Sequence, residues 1–169
     1  MRTLLWQRID RPGCEYFSLD QSDGDWWLTG TVLDSSEGVP RLLQYKVVCD
    51  AAWCTRSVHI SEQIAGKQRE LQLSTGHLLG HTDVDLGFTP STNTLPIRRL
   101  ALPVNGSAEI TCAWVRYPGL SVESLPQRYV RLGETRYLYE SGTFRAELQV
   151  DEIGLVRNYE GGWRSIAAT

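Results

Sequence analysis

Alternation of apolar and polar residues with a period of two, broken by turn residues at short intervals, runs through this chain and restricts it to sheet. Leu43, Tyr45, Val47 and Cys49 alternate with Gln44, Lys46 and Val48, and Leu71 and Leu73 with Glu70, Gln72 and Ser74. The clearest run sets Phe144, Ala146, Leu148 and Val150 against Arg145, Glu147 and Gln149. Side chains on a strand point to opposite faces in turn, so such runs describe strands with one buried face. The stretches 26–33, 53–60, 110–117 and 129–139 are rich in the aromatic and β-branched residues that suit a pleated surface. Turn residues such as Ser22-Asp23-Gly24-Asp25, Ala65-Gly66, Asn105-Gly106, Ser141-Gly142 and Gly161-Gly162 separate them. Punctuation at roughly 8–12 residues is that of antiparallel hairpins in a sandwich, roll or barrel. With no linker, repeat or low-complexity stretch, a mainly β fold in one domain over residues 1–169 is expected.

One short helix fits the pattern. Thr92 and Asn93 can cap a helix start, Pro96 would fall in the first turn, where its missing N–H costs little, and Ile97 and Leu100 would share an apolar face. A lone helix in a curved sheet has a place to go, because curling leaves an apolar concavity to fill.

Composition narrows function by exclusion. A formal net charge of −3 lacks the concentrated basic face of a nucleic-acid binder. Of the basic residues only Lys46 and Lys67 are lysines; the rest are arginines, whose planar forks suit carboxylates, aromatic faces and anionic groups. No run approaches the roughly 20 apolar residues of a membrane span. The first ten residues turn polar by Gln7, too early for a secretory signal, so a cytoplasmic location is expected. Cys14, Cys49, Cys54 and Cys112 form no C-x-x-C pair and read as structural thiols.

The densest polar cluster surrounds the helix. Asp83 and Asp85 would share a strand face, with Arg98 and Arg99 close behind. Three readings fit: a buried Asp–Arg network that anchors the helix, a recognition site for hydroxyl-rich or anionic head groups, or paired carboxylates for acid–base hydrolysis. A glycosidase pair normally faces across a cleft from separate elements, which two residues of one strand do not. His77 and His81 are four apart in a segment that is not helical and lack a third ligand, so no metal is expected. No nucleophile elbow or phosphate loop accompanies them, and no cofactor is expected. Six tryptophans and seven tyrosines offer apolar bodies with polar tips, suited to a sheet core or to a cavity for amphiphiles. Trp26 and Trp27, as strand neighbours, should face opposite sides.

The stretch Asp83–Leu100, DVDLGFTPSTNTLPIRRL, resembles the signature of the putative glycolipid-binding proteins. So do YKVVCDAAWCTR at 45–56, AWVRY at 113–117, QRYVRL at 127–132 and the pieces of 137–164. The resemblance implies a spiral β-roll of about fifteen strands, mostly antiparallel and wrapped around a single short helix, forming a homodimer. It also implies distant similarity to the lipoprotein localisation factors. The resulting expectation is a non-catalytic binder of a lipid or glycolipid-like amphiphile. The acyl part would lie on the concave face against Trp53, Trp114 and Tyr129, and the head group on Asp83, Asp85, Arg98 and Arg99. The alternatives are a homodimeric interaction module whose helix fills the roll, and a hydrolase using Asp83 or Asp85.

Overall fold

The computed structural model describes residues 1–169. Thirteen strands, rather than about fifteen, form one sheet: β1 (Arg2–Arg8), β2 (Gly13–Ser22), β3 (Asp25–Asp34), β4 (Arg41–Cys49), β5 (Thr55–Ile64), β6 (Lys67–Ser74), β7 (Val84–Leu86), β8 (Ser107–Arg116), β9 (Ser121–Arg131), β10 (Arg136–Ser141), β11 (Phe144–Val150), β12 (Val156–Tyr159) and β13 (Trp163–Ala168). Their order is β6-β5-β4-β3-β2-β1-β13-β12-β11-β10-β9-β8-β7. The chain therefore starts in the middle of the sheet, walks out to one edge, jumps to the other edge and walks back until β13 pairs with β1. Every pair is antiparallel except β7 with β8.

That order forces the sheet to curl. At about 4.8 Å per strand the edges β6 and β7 would lie some 58 Å apart if it were flat. Yet they are joined by the link from Ser74 to Val84, which spans at most about 35 Å fully extended. Arg69 on the β6 edge helps to close the gap: its guanidinium donates to the Pro118 and Gly119 carbonyls in the turn after β8.

The curl is a spiral, and β7–β8 lie inside it. Val84, Leu86, Ala113 and Val115 belong to the larger core, with the inward residues of β1–β6. On the opposite face of β8, Ala108 and Ile110 pack against a second cluster of Ile97, Tyr129, Tyr137, Tyr139, Leu148, Val150 and Val156. β8 thus meets one core with its first half and the other with its second half.

Between β7 and β8 the chain fills the concavity. Leu86, Phe88 and Leu95 are almost completely buried, and a 3-10 turn (Ser91–Asn93) leads into the helix α1 (Thr94–Leu100). The helix lies where the sequence puts it, but Thr92 and Asn93 do not cap it. The Thr92 hydroxyl accepts the Leu86 N–H at 3.2 Å instead, and the Asn93 amide donates to the Pro90 carbonyl. This segment is pinned by a hydroxyl–carboxyl knot. Tyr45 donates to Glu15 Oε1 at 2.5 Å, Thr89 donates to the same oxygen at 2.9 Å, and Tyr45 meets Ser91 at 2.7 Å. Burial pushes the Glu15 carboxyl up to about 8, against those hydrogen bonds and the charge of Arg8, so it is neutral at pH 7. No helix is long and apolar enough to cross a membrane.

Tyr45 reaches this knot because its ring lies flat over Gly30. A Cβ at Gly30 would sit 2.2 Å from the ring. Gly30→Ala must therefore displace the ring and loosen the knot together, and we expect a loss of about 1–3 kcal/mol in urea unfolding. Unfolding at the parent's midpoint would rule out this packing.

Candidate functional site

Beside the start of the helix the roll leaves a cavity of about 490 Å³. Its floor is the outward edge of β7 and β8, where Asp85 and Trp114 lie side by side in register. Tyr139, Phe144, Tyr159 and Trp163 form its aromatic walls, and Arg8, Asp10, Asn93 and Glu160 are polar groups on its lining. The rings are ordered by one another: Tyr139 to Phe144 at 6.0 Å, Phe144 stacked on Tyr159 at 6.4 Å, and Tyr139 to Tyr159 at 6.3 Å. Phe144 keeps the inward parity of Ala146 and Leu148 but stands at the strand's end, 51 % exposed, at the mouth.

The carboxylates around the cavity are in different electrical states. Asp10 is held below its usual range: partial burial opposes its charge, but bidentate bonds from Arg8 at 2.9 and 2.8 Å and the charge of Arg11 outweigh it. Glu160 accepts the Glu147 N–H at 2.9 Å. Asp85 has no cation; its one partner is the Gln127 side-chain amide at 2.6 Å. Burial pushes the Asp85 carboxyl up to about 6, with the Gln127 bond opposing it only in part. Such a group, ionised for the most part at pH 7 in an aromatic recess, can accept a hydrogen bond from a ligand hydroxyl.

The expected site residues divide. Asp85 and Trp114 line the cavity. Tyr129 stands one layer behind it, donating to Asn93 Oδ1 at 2.9 Å and packing edge-on against Tyr139. Asp83 is sealed by Arg99 in a two-bond ion pair that ties the end of the helix to β7. Arg98 is exposed and lies 5.4 Å over the ring of Trp53, which is itself buried and stacked on Trp26. Asp83, Arg98, Arg99 and Trp53 thus lie outside this lining, because the helix aims its arginines away from it. Trp26 and Trp27 do face opposite sides, Trp26 into the core and Trp27 under Lys46. No group of three or more His, Cys, Asp or Glu side chains is placed to hold a metal; His81 contacts Ser124 and His77 contacts Ser74.

Tyr139, Phe144, Tyr159 and Trp163 are absent from the expected set. The alternation that marks Phe144 as inward does not separate core from cavity, so this part of the wall carries no sequence signal of its own.

A family model for putative glycolipid-binding proteins matches residues 3–165. The chain belongs to that family. Among solved structures, a DUF1089 family protein from Pseudomonas aeruginosa is similar at 32% identity and a TM-score of 0.74, over 87% of this chain and 89% of that one. No curated protein matches the sequence. This member of the putative glycolipid-binding family thus has a mainly β roll around a short helix, and the family is described by binding rather than by catalysis.

Two substitutions separate scaffold from site. Arg99→Ala strands the buried Asp83 carboxylate and should cost about 2–4 kcal/mol in chemical unfolding. Asp85→Asn should act in the other direction. A carboxyl whose folded pKa is raised contributes stability that is complete below its unfolded value near 3.8 and is lost as pH rises through about 6. The Asn variant should therefore match the parent near pH 4 and exceed it by about 1–2 kcal/mol at pH 8, with the cavity's access to water limiting the gain. Parallel thermal melts across that range would show it, and a gap that fails to open above pH 6 would contradict the environment described for Asp85.

Proposed function

We propose that this chain is a non-catalytic cytoplasmic protein, acting as a homodimer, that binds a lipid or glycolipid-like amphiphile in the cavity beside the helix. One observation carries the reading: a carboxyl without a cation lies at the floor of an aromatic recess next to the helix start. Buried charges are normally paired, and Asp83 shows that the same strand can do so. Asp85 is left open at a cost in stability, as functional groups often are. Membership of the putative glycolipid-binding family supports the ligand class.

Binding without turnover fits the state of the neighbouring acids. Hydrolysis by paired carboxylates needs a second free group, whereas Asp10 is engaged by Arg8 and Arg11. Four free thiols are compatible with a reducing compartment. Tyr16 and Leu33, exposed on the outer faces of β2 and β3, offer apolar surface for a dimer contact.

A second reading has its own support. The interior is so well filled, with Leu86, Phe88 and Leu95 at 1 % exposure or less, that the roll could serve as an interaction module with no small ligand. Native mass spectrometry of the freshly purified protein distinguishes the two. We expect a dimer carrying a discrete extra mass that denaturing conditions release. Trp114→Ala and Tyr159→Ala should lose it, while Arg99→Ala, though less stable, should keep it. A clean apo dimer would favour the interaction module, and a clean monomer would count against the homodimer.

A further inference from the structure

The cavity is polar at its floor, aromatic at its walls and closed toward the core. These features specify the ligand more narrowly than the amphiphile reading on which this inference rests. We propose that the cavity holds the sugar ring of a neutral glycoside, with the alkyl part left outside the roll, and that it discriminates against acidic head groups.

The case against an acyl tunnel is packing. The concave surface that could have received a chain is occupied by the protein's own Leu86, Phe88 and Leu95. What remains is about 490 Å³, within the usual range of small-ligand sites. Phe144, half exposed at the mouth, gives an emerging alkyl chain a single ring to lie against.

The case against acidic head groups is charge. Arg8 is the only basic residue on the lining, against Asp10, Asp85 and Glu160. Its guanidinium is already committed to Asp10 and lies 4.5 Å over the ring of Trp163. Of the other arginines, Arg99 holds Asp83, Arg98 lies over Trp53, and Arg116, over the Trp114 ring but off the lining, is 3.8 Å from Glu123. A phosphate, sulfate or sugar carboxylate would enter a recess of like charge without a free cation.

The case for a neutral sugar is the complementary pairing. A pyranose ring has an apolar C–H face and an equatorial rim of hydroxyls. Trp114 and the stacked pair of Phe144 and Tyr159 are the lining rings available to the first, Trp114 with Arg116 5.7 Å over its ring, and Asp85 offers an acceptor to the second. A hydroxyl donating to an ionised carboxylate makes a short, strong bond. Asn93 also stands on the lining, its amide held by the Pro90 carbonyl and the Tyr129 hydroxyl.

The test is a titration series by isothermal calorimetry and saturation-transfer NMR at pH 7.5 with purified wild-type protein. The probes are methyl and octyl glycosides of glucose, galactose, mannose and N-acetylglucosamine, together with methyl glucuronide, a methyl sialoside and octanoate. We expect at least one neutral methyl glycoside to bind, with its octyl counterpart within about threefold, and with the acidic sugars and octanoate silent. Asp85→Asn, which preserves shape and fold, should weaken that binding about tenfold or more. Trp114→Phe, which keeps a ring, should weaken it less than Trp114→Ala. Affinity climbing about fourfold per added methylene, with octanoate bound as well as the glycosides, would overturn this inference and leave the amphiphile reading standing. Tighter binding of glucuronide or sialoside than of neutral sugars would also overturn it. Silence across every glycoside and octanoate would remove both.

Discussion

The short link between the two sheet edges is the constraint from which the rest of this structure follows. With the edges β6 and β7 joined by the segment from Ser74 to Val84, thirteen strands cannot lie flat. A curled sheet encloses a concavity, and an empty apolar concavity forfeits dispersion contacts on every wall. The chain fills it with the stretch that follows directly from β7, so the element that closes the roll also packs its inside. Leu86, Phe88 and Leu95 supply the apolar filling. The polar backbone of a tight turn must then enter the core with them, and the Thr92 and Thr89 hydroxyls accept the Leu86 and Ser91 N–H groups there.

Among the buried and half-buried acids, Asp83, Glu15 and Asp85 are each treated differently. Asp83 faces the last turn of the helix and is neutralised by Arg99. Glu15 has no cation in hydrogen-bonding contact and is instead kept protonated inside a cage of hydroxyls. Asp85 lies two residues beyond Asp83, in β7, where no arginine of the helix pairs with it and only the Gln127 amide bonds it. The spacing of β7 against α1 therefore decides which carboxylate becomes scaffold and which remains available. Shape complementarity fails at the same point. The cavity lies ahead of the helix, between the turn that leads to Asn93, the β7–β8 pair and the ends of β10 to β13.

Much of the architecture was legible from residue order, because period-two alternation is local and both faces of a strand reveal themselves within six residues. The helix position was legible for the same reason, through Pro96 and the Ile97–Leu100 spacing. The direction of the arginines was not, since it depends on how the helix is rolled about its axis against β7. Asp83 and Asp85 are only two residues apart, yet their separate fates depend on that roll. Glu15 left no trace either: Cys14-Glu15-Tyr16-Phe17 alternates as an ordinary strand, and nothing local says that Glu15 is enclosed while Tyr16 is 57 % exposed. The wall rings Tyr139, Phe144 and Tyr159 come from three hairpin-connected strands, β10 to β12. Their convergence is a product of sheet curvature, which has no one-dimensional signature.

A structural module would have had an easy way to complete this fold. Asn at position 85 would accept the same Gln127 amide without a charge to desolvate. Gly87 lies so close to Trp114 that a Cβ would stand 2.9 Å from the indole Nε1. That contact bars any residue with a Cβ from position 87 unless the indole shifts, and so ties the glycine to the Trp114 ring beside Asp85. A glycine tied to an aromatic ring, beside an acid left without a cation, is an arrangement in which the local energetics of folding are not optimised. Both departures lie on one lining, and both are relieved by the same event, a flat hydroxyl-bearing molecule that covers the ring and donates to the carboxylate. It is this coincidence, more than the cavity's size, that gives the recess the character of a binding site.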